Sequence, residues 1–104
     1  MSEESVWHVT RDGVPAAPGA EGFVHASFTR QLEGTLALHF AGAERVELLL
    51  LDPARLREAL RLEASRGGEP FPHVHRELRA GDVIARVGLR RGANGGFATA
   101  LLPR

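Results

Sequence analysis

The chain predicts an α+β fold, and three observations carry that expectation. Arg45-Val-Glu-Leu-Leu-Leu-Leu51 is a bounded apolar run of the kind a central strand needs. Asp82–Arg90 and Phe97–Leu102 flank Gly92-Ala-Asn-Gly-Gly96 as the arms of a C-terminal β-hairpin. Helical signals occupy only two short stretches, and the order of elements never repeats as strand–helix–strand, which disfavours a parallel α/β sheet.

Each element has its own warrant. Val6-Trp-His-Val-Thr10 alternates and is rich in β-branched and aromatic residues, so it reads as the first strand. Residues 11–20 carry Asp12-Gly13, Pro15, Pro18 and Gly19 and read as loop. Gly22–Ala26 is a second strand. Ser27 or Thr29 then caps a helix that runs to about His39 or Phe40, with Leu32, Leu36 and Phe40 on its buried face and Ala41-Gly42-Ala43 ending it. After the central strand, Asp52-Pro53 supplies an N-cap and a first helical residue for a short helix to about Leu60. Leu62–Ala64 is a brief strand and Arg66-Gly67-Gly68 a loop. Phe71-Pro-His-Val-His75 is extended, because each proline biases its predecessor away from helix. Leu50, in the central strand, is expected in the core.

Composition narrows the function classes. At 104 residues the chain fits one domain, 1–104, which buries roughly 65% of its unfolded surface around a single core. Thirteen basic residues balance thirteen acidic ones, so no global field draws in nucleic acid or an anionic membrane. Every basic residue is arginine; with no lysine, side-chain Schiff-base chemistry is excluded. Without cysteine there are no disulfides, thiolate nucleophiles or thiolate-bound zinc. The acidic start, Met-Ser-Glu-Glu-Ser, lacks an apolar signal core, and Leu48–Leu51 is too short to cross a bilayer. A cytoplasmic monomer is the expectation.

Two segments concentrate the chemistry. Glu63–His75 carries two carboxylates, an arginine, a glycine pair and two histidines, while Gly22-Phe-Val-His-Ala-Ser27 sets a histidine and a serine two residues apart. His25 and Ser27 share one face of a strand, so they either bind a polar ligand together or serve as a satisfied core histidine and a helix cap. Glu63 and Glu69, six apart across a glycine turn, either converge as acid and base or line a solvated loop. Arg66-Gly67-Gly68 either offers backbone N–H groups to an anion or is a plain turn. His73 and His75 have a usable metal-ligand spacing, but Glu63, Glu69 or His25 would have to complete the set, and no metal is expected.

Taken together, Gly22-Phe-Val-His-Ala-Ser, Gln31-Leu, Leu50-Leu-Asp-Pro-Ala-Arg-Leu and Glu63-x-Ser-Arg-Gly-Gly-Glu-x-Phe-Pro-His resemble the small bacterial domain of unknown function 952 family, over about Val6 to Leu89. That resemblance implies a split sheet similar to the ADP-ribosyltransferase fold, whose active members grip NAD. Trp7-His8 and Val24-His-Ala-Ser27 also resemble two motifs of the NAD-dependent RNA 2′-phosphotransferases, where histidines and a hydroxyl contact NAD. Val9 stands where those enzymes have glycine and His75 where the family has tyrosine. No counterpart of the phosphotransferases' N-terminal helical domain lies in this sequence, so nucleic acid is not expected as a partner.

The resemblance implies a cleft built by His8, His25, Ser27 and the 63–75 loop, binding NAD or a related nucleotide as a small-molecule partner. His25, Glu63, Glu69 and His73 would be its catalytic groups for ADP-ribose transfer. His8, Ser27, Arg66, Gly67 and Gly68 would bind the nucleotide. A carboxylate would stabilise the oxocarbenium-like charge. Two alternatives stand beside it: a catalytically inactive ligand- or partner-binding module, which Val9 in place of glycine favours, and a small metal-dependent hydrolase using His73 and His75.

Overall fold

The computed structural model describes residues 4–104, with Arg66 described by its backbone alone. Strands β1 (Val6–Thr10), β2 (Val24–His25), β3 (Ser27–Phe28), β4 (Arg45–Leu51), β5 (Leu60–Ala64), β6 (Pro70–Val74) and β7 (Val83–Arg90) surround helices α1 (Leu32–His39) and α2 (Pro53–Leu56). Two antiparallel sheets result, one in the order β3-β1-β4-β7 and the other β2-β6-β5. The fold is α+β.

The central run explains the layering. In β4, Val46 and Leu48 face α1 and join Trp7, Val9, Leu32 and Leu36 in one core. Leu49 and Leu51 face the other way and join Val6, Val24 and Val74 between the two sheets. A strand covered on both faces is apolar at consecutive positions, which is why Leu48–Leu51 shows no alternation. Leu48, Leu49 and Leu51 are fully buried, whereas Leu50 is only partly so and packs at the margin of the helix-side core.

Four sequence expectations need correction. The second strand does not run unbroken from Gly22 to Ala26. His25 pairs with His73 in the small sheet, Ala26 N–H donates to the Pro72 carbonyl, and Ser27 pairs with Trp7 in the large one. The chain changes sheets at Ala26. Neither Ser27 nor Thr29 caps α1: a 3-10 turn over Thr29–Gln31 precedes the helix, and Gln31 Oε1 accepts from the Phe28 N–H at 3.0 Å. Both hydroxyls are engaged elsewhere, Thr29 Oγ1 accepting from Trp7 Nε1 and Ser27 Oγ meeting Thr35 Oγ1.

Asp52 does cap α2, accepting from the Ala54 N–H at 3.0 Å, but the helix ends at Leu56 rather than Leu60. Arg57 adopts φ 51, outside the right-handed region, and Leu60 is drawn into β5 opposite Val74. The expected terminal hairpin is absent. β7 pairs instead with the free edge of β4, from Arg45 opposite Arg90 to Leu51 opposite Val83. Beyond it Phe97 and Leu102 fold onto the helix-side core, with the Arg91 guanidinium 4.6 Å from the Phe97 ring centroid. Burying two large side chains there outweighs pairing a strand whose turn holds three glycines. Among the described residues, no helix is long and apolar enough to cross a membrane.

Candidate functional site

The sheet change at Ala26 creates the cleft. β3 covers only Val6 and Trp7 of β1, so the edge of β1 from His8 onward loses its strand neighbour. His8 bridges the gap with its side chain: Nδ1–H donates to the His25 carbonyl at 2.8 Å. A carbonyl only accepts, so the proton sits on Nδ1 and Nε2 carries a lone pair. Burial pushes the His8 pKa below its usual value, outweighing the opposing effect of that hydrogen bond, and keeps the ring neutral.

Around this gap lies a cleft of about 820 Å³, floored by His8 and Val9 and walled by Phe23–Ser27, the second half of α1 and residues near Ala16. Its polar groups are few: His8, Glu21, His25, Ser27, Thr35, His39 and Ser65, among apolar and aromatic side chains that include Phe23, Phe40 and Phe71. Ser27 is buried, and its hydroxyl meets that of Thr35 at 2.9 Å, tying α1 to the strand. His25 is open to solvent, its side chain 60% exposed and its Nε2 3.1 Å from Glu21 Oε2. Hydrogen bonding to His25 holds the Glu21 carboxyl below its usual range, so it is charged and accepts the Nε2 proton.

Behind this wall stands a second layer of rings on the outer face of the small sheet. Phe23 stacks on His73 at 4.0 Å between centroids, and the His25 ring meets His73 edge-on at 5.4 Å. One oxygen, Glu63 Oε1, accepts from both His73 Nδ1 and His75 Nε2 at 2.8 Å. The two histidines hold the Glu63 carboxyl below its usual range, with the His75 bond the larger cause. His73 is buried, and its Nε2 meets no hydrogen-bond partner among the described residues.

The sequence pattern of a family described as a protein of unknown function (DUF952) matches residues 2–86. The chain belongs to the DUF952 family. A similar fold occurs in the crystal structure of protein CC0527 from Caulobacter crescentus: TM-score 0.80, 28% identity, 92% of this chain and 95% of that chain covered. Its solution NMR structure gives a TM-score of 0.74 at 29% identity, covering 88% of this chain and 90% of that one. No curated protein matches the chain. Every residue lining the cleft lies within the DUF952 match; the end of β7 and the C-terminal segment lie outside it.

Of the residues singled out in the sequence, His8, His25 and Ser27 line one cleft. His73 sits directly behind them, and Glu63 is turned towards His73 and His75 rather than into the cleft. Glu69 does not converge with Glu63: its Oε2 accepts from Arg30 Nη1 at 2.8 Å and Gln31 Nε2 at 3.0 Å, on the side of α1. Gly67 and Gly68 lie exposed in a tight turn with positive φ at both, in which Gly68 N–H donates to the Ser65 carbonyl, and neither lines the cleft. The Arg66 side chain lies outside the described residues. Among those described, no three His, Asp or Glu side chains converge as a metal-ligating set. Sequence reasoning missed Glu21, Phe23, Thr35 and His39. Thr35 and His39 are four apart on α1, a spacing that shares one helix face and was readable in advance.

Proposed function

We propose that this DUF952 domain is an ADP-ribosyltransferase-like binding module that holds NAD or a related nucleotide by its nucleoside part, without transferring ADP-ribose. One observation carries the reading: the sheet change at Ala26 leaves His8, His25 and Ser27 on one cleft with Thr35 of α1. A cleft of about 820 Å³ has the size and the sparse polar lining of a small-molecule site. Binding is favoured over transfer because the two carboxylates expected to act are elsewhere and the one at the cleft, Glu21, is engaged by His25 Nε2. Glu63 is held by two imidazoles and Glu69 by Arg30 and Gln31, so neither lies where an oxocarbenium charge would develop in the cleft. The lining fits a base and ribose. It supplies no counter-charge for a pyrophosphate, since no arginine is among the described side chains that line it, so that part of a nucleotide would stay outside the cleft in solvent.

Thermal melts with NAD and with adenosine test the reading. A ligand at a hundredfold excess over its Kd raises stability by about 2.7 kcal/mol, and no nicotinamide is expected to appear during incubation with NAD. An unmoved melting temperature with both ligands removes the binding reading. Steady release of nicotinamide returns the domain to the transferases.

A further inference from the structure

We infer that the cleft selects uncharged, donor-rich planar ligands of the nucleoside class and discriminates against phosphate. This rests on the binding role proposed above and adds the chemistry of what is bound. The hydrogen bonds within the site settle the direction of those it can offer. His8 Nδ1–H is committed to the His25 carbonyl, so a neutral His8 presents Nε2 as an acceptor. His25 Nε2–H is committed to the Glu21 carboxylate, so a neutral His25 presents Nδ1 as an acceptor. Glu21 is itself an acceptor and carries the negative charge at the mouth. In the layer behind, His73 Nδ1–H donates to Glu63, and the ring is buried beneath Phe23, backing the wall without lining the cleft. Serine and threonine add one adaptable hydroxyl pair.

At its His8–His25–Glu21 end such a lining rewards N–H and O–H groups on the ligand, and there it leaves a phosphate oxygen facing lone pairs and a carboxylate. Leaving acceptors without donors, or like charges together, is how a site rejects a competitor. Phe23, stacked on His73, and Phe40, with the Arg11 guanidinium over its ring, add aromatic surface to the wall against which a planar ring can pack. A heteroaromatic base bearing an amino group, joined to a sugar with free hydroxyls, meets both requirements.

Calorimetric titration with adenosine, AMP and ADP-ribose tests the selection. Adenosine is expected to bind at least as tightly as either phosphate-bearing ligand, with a Kd that changes little between roughly 50 and 500 mM salt. Ala17 lines the cleft, so Ala17→Arg should bring in a counter-charge and shift the preference towards AMP by about tenfold, equivalent to about 1.4 kcal/mol. The inference falls if the unmodified protein binds AMP or ADP-ribose more tightly than adenosine. It falls equally if Arg66→Ala is needed to abolish such a preference, because the Arg66 side chain would then be the phosphate ligand. In both cases the binding role survives. Absence of binding by all three ligands removes the binding role and this inference together.

Discussion

Asp82→Asn should remove an acid-sensitive part of this domain's stability. Asp82 is 2% exposed and accepts from Arg76 Nη1 at 2.8 Å, Arg76 Nη2 at 3.0 Å and the Arg79 N–H at 2.8 Å. The Arg76 guanidinium is the largest cause holding its carboxyl at about 2 instead of 3.8. That difference is worth roughly 2 kcal/mol at 1.36 kcal/mol per unit. Because the folded value lies below the unfolded one, the contribution is fully present above about pH 4 and fades as pH falls through about 2. An asparagine keeps the shape but strands the Arg76 charge, which is 25% exposed and so partly served by water. At pH 7 the variant should therefore lose about 3 kcal/mol, near the lower end for a broken buried pair. At pH 2 the wild-type carboxyl is about half protonated and most of the linked stability is gone, so the gap should shrink to about 1 kcal/mol. Urea unfolding of both proteins at pH 7, 4 and 2 gives the comparison. A gap that stays constant across that range would refute the assignment of the pair as the source of the acid sensitivity.

Two further outcomes follow from burial in the site and the core. Leu49→Ala should cost about 2–5 kcal/mol through lost burial and an unfilled cavity, Leu50→Ala distinctly less, and His25→Ala under about 1 kcal/mol while losing ligand affinity; thermal melts run beside titrations check all three. A His25→Ala protein that melts as early as Leu49→Ala would make the histidine a structural residue. The His8 imidazole should titrate below the ordinary histidine value, since burial opposes its charged form. Its burial therefore favours the native state above the unfolded-state pKa and disfavours it as pH falls below that value. Nitrogen chemical shifts of the ring should show the proton on Nδ1; a proton on Nε2 contradicts the tautomer assigned to the cleft, and titration at or above the usual value contradicts the effect of burial.

The parts of the fold that were legible in the sequence are those whose signal is local. β1 matches Val6–Thr10 and β4 matches Arg45–Leu51 to the residue, because alternation and an unbroken apolar run are each read within one strand. Asp52-Pro53 marked the start of α2 for the same reason. What failed depended on partners far along the chain. Phe97–Leu102 has strand composition and a glycine-rich turn before it, yet β4 captured β7 and left the last segment to pack on the helix side. Leu60 has good helix propensity, but its place opposite Val74 decided its conformation. The site divides similarly. His8, His25 and Ser27 were readable as motifs, whereas the separate fates of Glu63 and Glu69 turn on their partners: His73 and His75 for Glu63 in β5, Arg30 and Gln31 for Glu69 in the loop before β6. Glu21 and Phe23 enter only through the glycine turn that folds residues 19–22 over the histidines, where Gly22 N–H meets the Gly19 carbonyl at 3.0 Å.

The central claim is that the gap opened by the sheet change at Ala26 is a ligand site. Backbone amide spectra recorded during titration with adenosine test it most directly. The account predicts saturable shifts confined to His8, Phe23–Ser27, Thr35, His39 and Ser65, which line the cleft. Shifts clustering instead around Glu4, Arg30 and Arg104, at the smaller hollow beside the C-terminal segment, would contradict it.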